Sequence, residues 1–222
     1  MIFSAVAGSV SVAVTSLPKG ALMPRFRALK SAIRPWLRSS DWTPEQPLPP
    51  DLEGETPLAS LVNPLFAALP EGGTMTERAA FALGRVLSRL YEQAPEEARN
   101  VVRRFLWHMN EESGNIGWGI PEAFGQTLAQ SRPLADLYHK VLFSYILDKE
   151  GDSTWCDHAP LRRSCYTAVD TVLSARPDLI PAALPVLHSA ASADPNPVCR
   201  SLAVELAEKY KVADVGGVIR QH

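Results

Sequence analysis

Proline placement constrains what this chain can fold into more than any other feature of its sequence. Six of its 19 prolines (Pro57, Pro95, Pro121, Pro133, Pro160 and Pro197) each precede a run whose apolar residues recur every three or four positions. Proline suits the first turn of a helix, where an N–H would have no partner anyway and where its fixed φ is already helical. Nothing alternates with period two over a useful length, so strands have no support. The periodicity predicts helices near residues 24–38, 57–69, 75–92, 95–111, 120–130, 133–149, 159–175, 179–192 and 197–210. Thr74-Met75-Thr76-Glu77 reads as a capping box at the head of the third run. Gly151 reads as a helix stop, and Pro35 and Pro64 are expected to break or kink their helices.

The runs also repeat. Pro160-Leu161-Arg162-Arg163-Ser164 and Pro197-Val198-Cys199-Arg200-Ser201 match at an offset of 37 residues, and each continues into an apolar helix. Pro121 opens a comparable run 39 residues before Pro160, and Met75 stands at the proline's place 46 residues before Pro121. Helix-pair solenoids repeat every 33–47 residues or so, and each pair buries its apolar face on the next. The expected fold is therefore all-α, an α-α superhelix of about four to five helical hairpins.

Composition bounds the rest. Net charge is −2, which gives no overall pull toward nucleic acid or an anionic membrane. The charge is unevenly placed, however. Six of the 22 basic residues lie in the first 40 positions with no acidic residue among them, leaving 16 basic against 24 acidic on the remainder. Three scattered cysteines (Cys156, Cys165, Cys199) do not make a disulfide framework and point to reduced thiols in the cytoplasm. No apolar run reaches the roughly 20 residues a spanning helix needs. Residues 1–22 are small and apolar but lack a positive n-region, so they read as a disordered leader or an extension upstream of a natural start at Met23. Residues 23–39 read as a basic amphipathic cap. Residues 40–57 hold five prolines and read as a linker or surface strap, and 58–222 as the helical repeat domain.

One segment is unlike a plain connector. Asn110 to Glu122 (NEESGNIGWGIPE) crowds three glycines, a tryptophan and three carboxylates into thirteen residues, whereas helix–helix connections usually take two to eight. Asn110, Glu111, Glu112, Ser113, Trp118 and Glu122 are the candidate binding residues. The segment either folds back so that Trp118 packs and its polar side chains cap helix-end amides, or it presents a peptide- or ligand-binding surface. Glu111, Glu112 and Glu122 with His108 offer oxygen ligands for a hard cation, but adjacent helical residues point roughly 100° apart and the spacing implies no convergence. The glycine pattern matches neither a dinucleotide fingerprint nor a P-loop.

Two further constellations invite chemistry. Trp155-Cys156-Asp157-His158 with Cys165 offers three soft ligands, yet zinc sites pair cysteines at closer spacing, and Cys165 reads as a small core residue. A Cys-His nucleophile pair is formally available without an evident third partner to orient it. In the basic segment, Arg27, Lys30, Arg34 and Arg38 fall within about 80° of arc beside Phe26, Leu29, Ile33, Trp36 and Leu37. Such a helix suits a membrane surface, nucleic acid or the end of a solenoid. No catalytic residue, metal or cofactor is assigned.

Asp194-Pro195-Asn196-Pro197-Val198-Cys199-Arg200, followed by Leu202, Ala203 and Leu206, resembles HEAT-like repeats of the phycobilisome-lyase type. The stretch from Asn110 to Gly125 (NEESGxIGWGxPEAxG), with His158-Ala159-Pro160-Leu161-Arg162-Arg163, is similar to a small family of bacterial HEAT-repeat proteins. The resemblance covers most of residues 23–210 and departs from the pattern in its apolar leader and its shortened final repeat. It implies an armadillo-type superhelix with no established reaction, and it adds His158 and Arg163 to the candidate binding residues. The expected function is thus a non-enzymatic scaffold binding a protein or peptide through the Gly/Trp/Glu loop. The alternative is a DNA-binding enzyme of the HEAT-like alkylpurine DNA glycosylase type. That would need a positive concave face, which Arg103, Arg104, Arg162, Arg163 and Arg200 could supply.

Overall fold

The computed structural model describes residues 26–54, 56–110, 116–149 and 154–218, the last of these as backbone alone beyond Lys211. The leader, Glu111, Glu112, Ser113 and Gly151 lie outside the described residues. Within them the chain is all-helical: α1 (Phe26–Arg38), α2 (Leu58–Phe66), α3 (Gly73–Gln93), α4 (Pro95–Met109), α5 (Ile120–Gln130), α6 (Arg132–Ser144), α7 (Ala159–Ala175), α8 (Ile180–Ala193) and α9 (Pro197–Val218). Short 3-10 turns at Pro50–Leu52, Leu69–Glu71 and Pro177–Leu179 join some of them. Pro95, Pro121, Pro160 and Pro197 all sit at or next to the first residue of a helix, as their placement predicts.

The helices stack as a solenoid-like array. α3 packs on α5, α5 on α7 and α7 on α9, making one layer, while α4 and α6 lie against α3 and α5 respectively in the other and α8 pairs with α9. Alternate helices of such an array run the same way, so α3, α5 and α7 begin along one edge. Their spacing is set by two glycines. A methyl group on Gly84 of α3 would stand 2.8 Å from the Gln126 carbonyl of α5, and one on Gly125 of α5 would stand 2.8 Å from Ala168 of α7. Across the first contact Gln130 Nε2 donates to the Phe81 carbonyl at 3.1 Å, and Ser88 Oγ donates to the Gln130 carbonyl at 2.8 Å. These bonds would not form if the helices stood a methyl's width further apart.

Several boundaries differ from expectation for physical reasons. α6 stops at Ser144 because Tyr145 and Ile146 turn into the core, where both are buried, and the Tyr145 carbonyl accepts from Cys156 N at 3.1 Å. Pro35 does not end α1: it and Ser31 are exposed, so the carbonyl left without its donor faces water. Pro64 falls in the last turn of α2, where one lost bond ends little. No side-chain cap sits at the start of α3. Instead the Thr76 hydroxyl accepts from Gly72 N at 2.9 Å and donates to the Leu69 carbonyl at 2.6 Å, tying the helix to the preceding turn.

The two ends are closed differently. α1 lays Leu29, Ile33 and Leu37 on the core, against α2 and α3, and directs Arg34 and Arg38 at Glu71. Its apolar face is thereby used internally. The strap beyond it buries Pro47, Leu48 and Pro49, with Trp42 edge-on to Phe81 at 5.9 Å. Among the described residues no helix is long and apolar enough to cross a membrane.

At the other end a buried ion pair joins α7 to the head of α9. Arg162 Nη2 and Nε each donate to one carboxylate oxygen of Asp194 at 2.8 Å, and both side chains are only 1% exposed. The Tyr166 hydroxyl and Asn196 N also donate to that carboxylate, at 3.1 and 2.9 Å. Arg162 Nη1 donates to the carbonyls of Cys156 and Asp157, and the guanidinium lies over Trp155 at 4.6 Å. Burial works to raise the Asp194 carboxyl. The Arg162 hydrogen bonds and charge and the Asn196 and Tyr166 donors outweigh it and hold the group below the ordinary carboxylate range.

Removing one member of a buried pair strands the other, which costs about 3–5 kcal/mol. Asp194→Ala is expected to lower unfolding free energy by about that amount in urea denaturation. Because folding depresses the Asp194 pKa, its contribution is complete above the unfolded carboxyl value near ~4 and fades as pH falls through the folded value. Urea midpoints followed from pH 5 downward should therefore fall more steeply for the natural chain than for Asp194→Asn.

Candidate functional site: a groove divided by Trp118

α4 ends with Asn110 as its C-cap, whose amide donates to the carbonyls of Leu106 and Trp107 at 3.1 and 3.2 Å. From Ile116 the backbone turns sharply. Trp118 N donates to the Ile116 carbonyl at 2.8 Å and Ile120 N to the Gly117 carbonyl at 3.1 Å. Gly119 then takes φ +78° and caps α5, its carbonyl accepting from Ala123 N at 3.0 Å. A side chain here is excluded twice over. The left-handed backbone disfavours one, and a Cβ would stand 2.4 Å from the Leu69 carbonyl oxygen. Gly117 is nearly as confined, since a Cβ there would meet the His108 carbonyl at 2.9 Å. The turn is thus pressed onto the Leu69–Glu71 turn and the end of α4, and Trp118 is held outward with 43% of its surface exposed.

Two cavities meet at this tryptophan. One, of about 490 Å³, is bordered by Trp118, Gly119 and Glu122 on one side and by Gly72, Thr76 and Glu77 at the head of α3 on the other. The second, of about 240 Å³, is bordered by Phe66, His108, Ile116 and Ile120. Leu69, Pro70 and Trp118 border both. The apolar cavity continues an aromatic series: His108 lies 5.2 Å from Phe66, and the exposed Trp107 stands edge-on to His108 at 5.0 Å.

Glu122 occupies the first turn of α5, where a carboxylate is favoured by the helix dipole. Its Oε2 is buried without a hydrogen-bond partner. His158, the N-cap of α7, sets its ring edge-on to Trp118 at 5.6 Å and has its Nδ1 buried without a partner. Behind them lie Cys156 and Cys165, both buried free thiols. The Cys165 thiol beside Cys156 favours the Cys156 thiolate and lowers its pKa, against burial and with help from Arg162. Burial, reinforced by Cys156 and Glu122, pushes Cys165 up. Cys156 Sγ approaches the His158 carbonyl at 3.7 Å rather than the imidazole. Among the described residues no set of three His, Cys, Asp or Glu side chains could hold a metal ion.

Trp118, Glu122 and His158 therefore come together. Asn110 lies beside the buried Tyr145 instead and borders neither cavity. Arg163 is exposed on α7, where its charge acts on Cys199, and it too is away from the groove. Glu111, Glu112 and Ser113 lie outside the described residues. Sequence reasoning missed Leu69, Pro70, Thr76 and Glu77. The signal available was the breaker cluster Pro70-Glu71-Gly72-Gly73, whose two glycines both take positive φ.

No family model matches this chain, and neither the curated proteins nor the solved structures contain a match.

The fit of Gly119 is directly measurable. Alanine in the left-handed region costs about 1–2 kcal/mol, and at Gly119 the collision with Leu69 adds to it. Gly54 also has positive φ (91°), but nothing lies within 4 Å of where its Cβ would stand. Gly119→Ala should therefore lower the urea midpoint clearly more than Gly54→Ala. Equal effects would mean that the turn is not pressed against Leu69.

Proposed function

We propose that this protein is a non-enzymatic interaction module, a HEAT-like scaffold that docks a protein segment in the groove around Trp118. The observation that carries the reading is an indole held 43% exposed at the rim of two cavities by glycines that admit no side chain. A protein does not need so constrained a turn to leave an aromatic residue idle in water. Isolated exposed apolar residues are ordinary, but here Trp107, Ile116 and Trp118 gather at the rim of one groove. Tryptophan is the residue most favoured as an interface anchor. The free thiols fit a reducing, cytoplasmic setting.

The DNA-enzyme alternative draws little support from its arginines. Arg162 is buried in its ion pair, Arg200 donates to the Asp194 carbonyl at 2.6 Å, and Arg104 lies over Phe66 at 4.3 Å and donates to Asn63. Arg103 is paired with Glu96 at 3.4 Å, which leaves Arg163 exposed.

Selection of a displayed random-peptide library on the intact chain tests the docking reading. Peptides enriched on the natural chain should lose at least about thirtyfold in affinity for Trp118→Ala, since truncating a hot-spot aromatic costs about 2 kcal/mol or more. Glu122→Ala should lose affinity in the same assay, and circular dichroism should show unchanged helicity for both variants. Retained binding in both would refute the reading.

A further inference from the structure

The two cavities differ in chemistry, and that difference selects an occupant. Resting on the docking reading above, we infer that the groove takes an extended protein segment with a large apolar side chain two residues from a lysine or arginine. The cation fills the larger cavity and the apolar side chain the smaller, with Trp118 between them.

Charge decides the first assignment. Among the described residues, the charged side chains bordering the larger cavity are Glu77 and Glu122. The heads of α3 and α5 also face it through Gly72, Gly73 and Gly119. A helix N-terminus carries about half a positive charge, so two of them offset only about one of the two carboxylates. The cavity stays negative and suits a cation better than an anion. Glu77 and Glu122 offer the carboxylates with which a guanidinium or ammonium would pair, and the adjoining indole favours the same charge through its π face. The smaller cavity is walled chiefly by Phe66, Leu69, Pro70, Ile116 and Ile120 and asks for an apolar group.

Geometry gives the spacing. Leu69, Pro70 and Trp118 wall both cavities, so their occupants are parted by one layer of side chain, and groups on the two sides of such a layer lie roughly 7–8 Å apart, from two contacts of about 3.5–4 Å. In an extended chain, side chains two residues apart share a face and are separated by roughly 6.5–7 Å. Adjacent residues point to opposite faces and cannot fill both cavities. A single small molecule would fill one cavity and leave the other wet, which is why a chain segment is the occupant.

The test is fluorescence anisotropy of the full chain with dye-labelled synthetic peptides. The probe is acetyl-Gly-Ser-Leu-Ser-Arg-Ser-Gly-amide, compared with versions in which arginine is replaced by glutamate or norleucine, or leucine by alanine. Binding of the parent peptide is expected to weaken at least tenfold on either Arg-to-Glu or Leu-to-Ala replacement. Glu122→Gln and Glu77→Gln should each weaken the arginine peptide several-fold while leaving the norleucine peptide within about twofold. Equal binding of the arginine and glutamate peptides, still abolished by Trp118→Ala, would overturn this inference and leave the docking reading standing. Binding indifferent to Trp118→Ala would overturn both. Free arginine competing as well as the peptide would also overturn the inference, by showing a small-cation site.

Discussion

The close crossing of α5 against both of its neighbours is the constraint on which the rest of the structure depends. Gly84 lets α5 settle on α3, and Gly125 lets α7 settle on α5. Both contacts are backbone against backbone, so the layer has a spacing that side-chain repacking cannot adjust. The three helices begin along one edge, and the polar side of the groove hangs from those beginnings. Thr76 and Glu77 come from the head of α3, Gly119 and Glu122 from the head of α5, and His158 from the head of α7. Shifting one helix by a methyl's width would separate Trp118 from the Leu69–Glu71 turn that backs it. The groove is in this sense a property of the stack rather than of its loop.

The far end relies on a different kind of contact. The Arg162–Asp194 pair is removed from water, which is costly for both charges. It is tolerated because the donors present meet the carboxylate's oxygens and because backbone carbonyls accept from Arg162 Nη1. Asp194 also precedes α9 and accepts from Asn196 N, while the Asn196 side chain caps the N–H groups of Val198 and Cys199. One carboxylate thus orients the start of the last helix and attaches it to the third member of the stack.

Helix positions were largely legible in the sequence because prolines mark the heads and the apolar period marks the faces. α5 and α7 occupy the spans their periodicity predicts. The misplaced boundary at the end of α6 has a tertiary cause: Tyr145 and Ile146 turn inward to meet Cys156, which no local pattern announces. By sequence alone Arg162 reads as one of five arginines available to a positive concave face. Its burial becomes visible only when Asp194 is packed beside it. Trp118 and Glu122 could be singled out because an aromatic residue among glycines is rare in a plain connector. Glu77 could not, since it reaches the groove across some 40 residues of chain and carries no periodic or compositional mark. Arg163 shares a helix with the site, but it borders neither cavity and its charge acts on Cys199 of α9.

The basic helix at the N-terminal end has a consequence for the groove. Arg34 and Arg38 both grip Glu71, the last residue of the 3-10 turn whose Leu69 and Pro70 form the partition between the two cavities. The cationic stripe that resembles a ligand for anionic surfaces is thus turned inward as a clamp. Glu71 is separated from Leu69, against which Gly119 is pressed, by Pro70 alone. The first helix is therefore tied, through one carboxylate, to the turn that walls both cavities, so a change at either arginine falls beside the groove rather than on an isolated end cap.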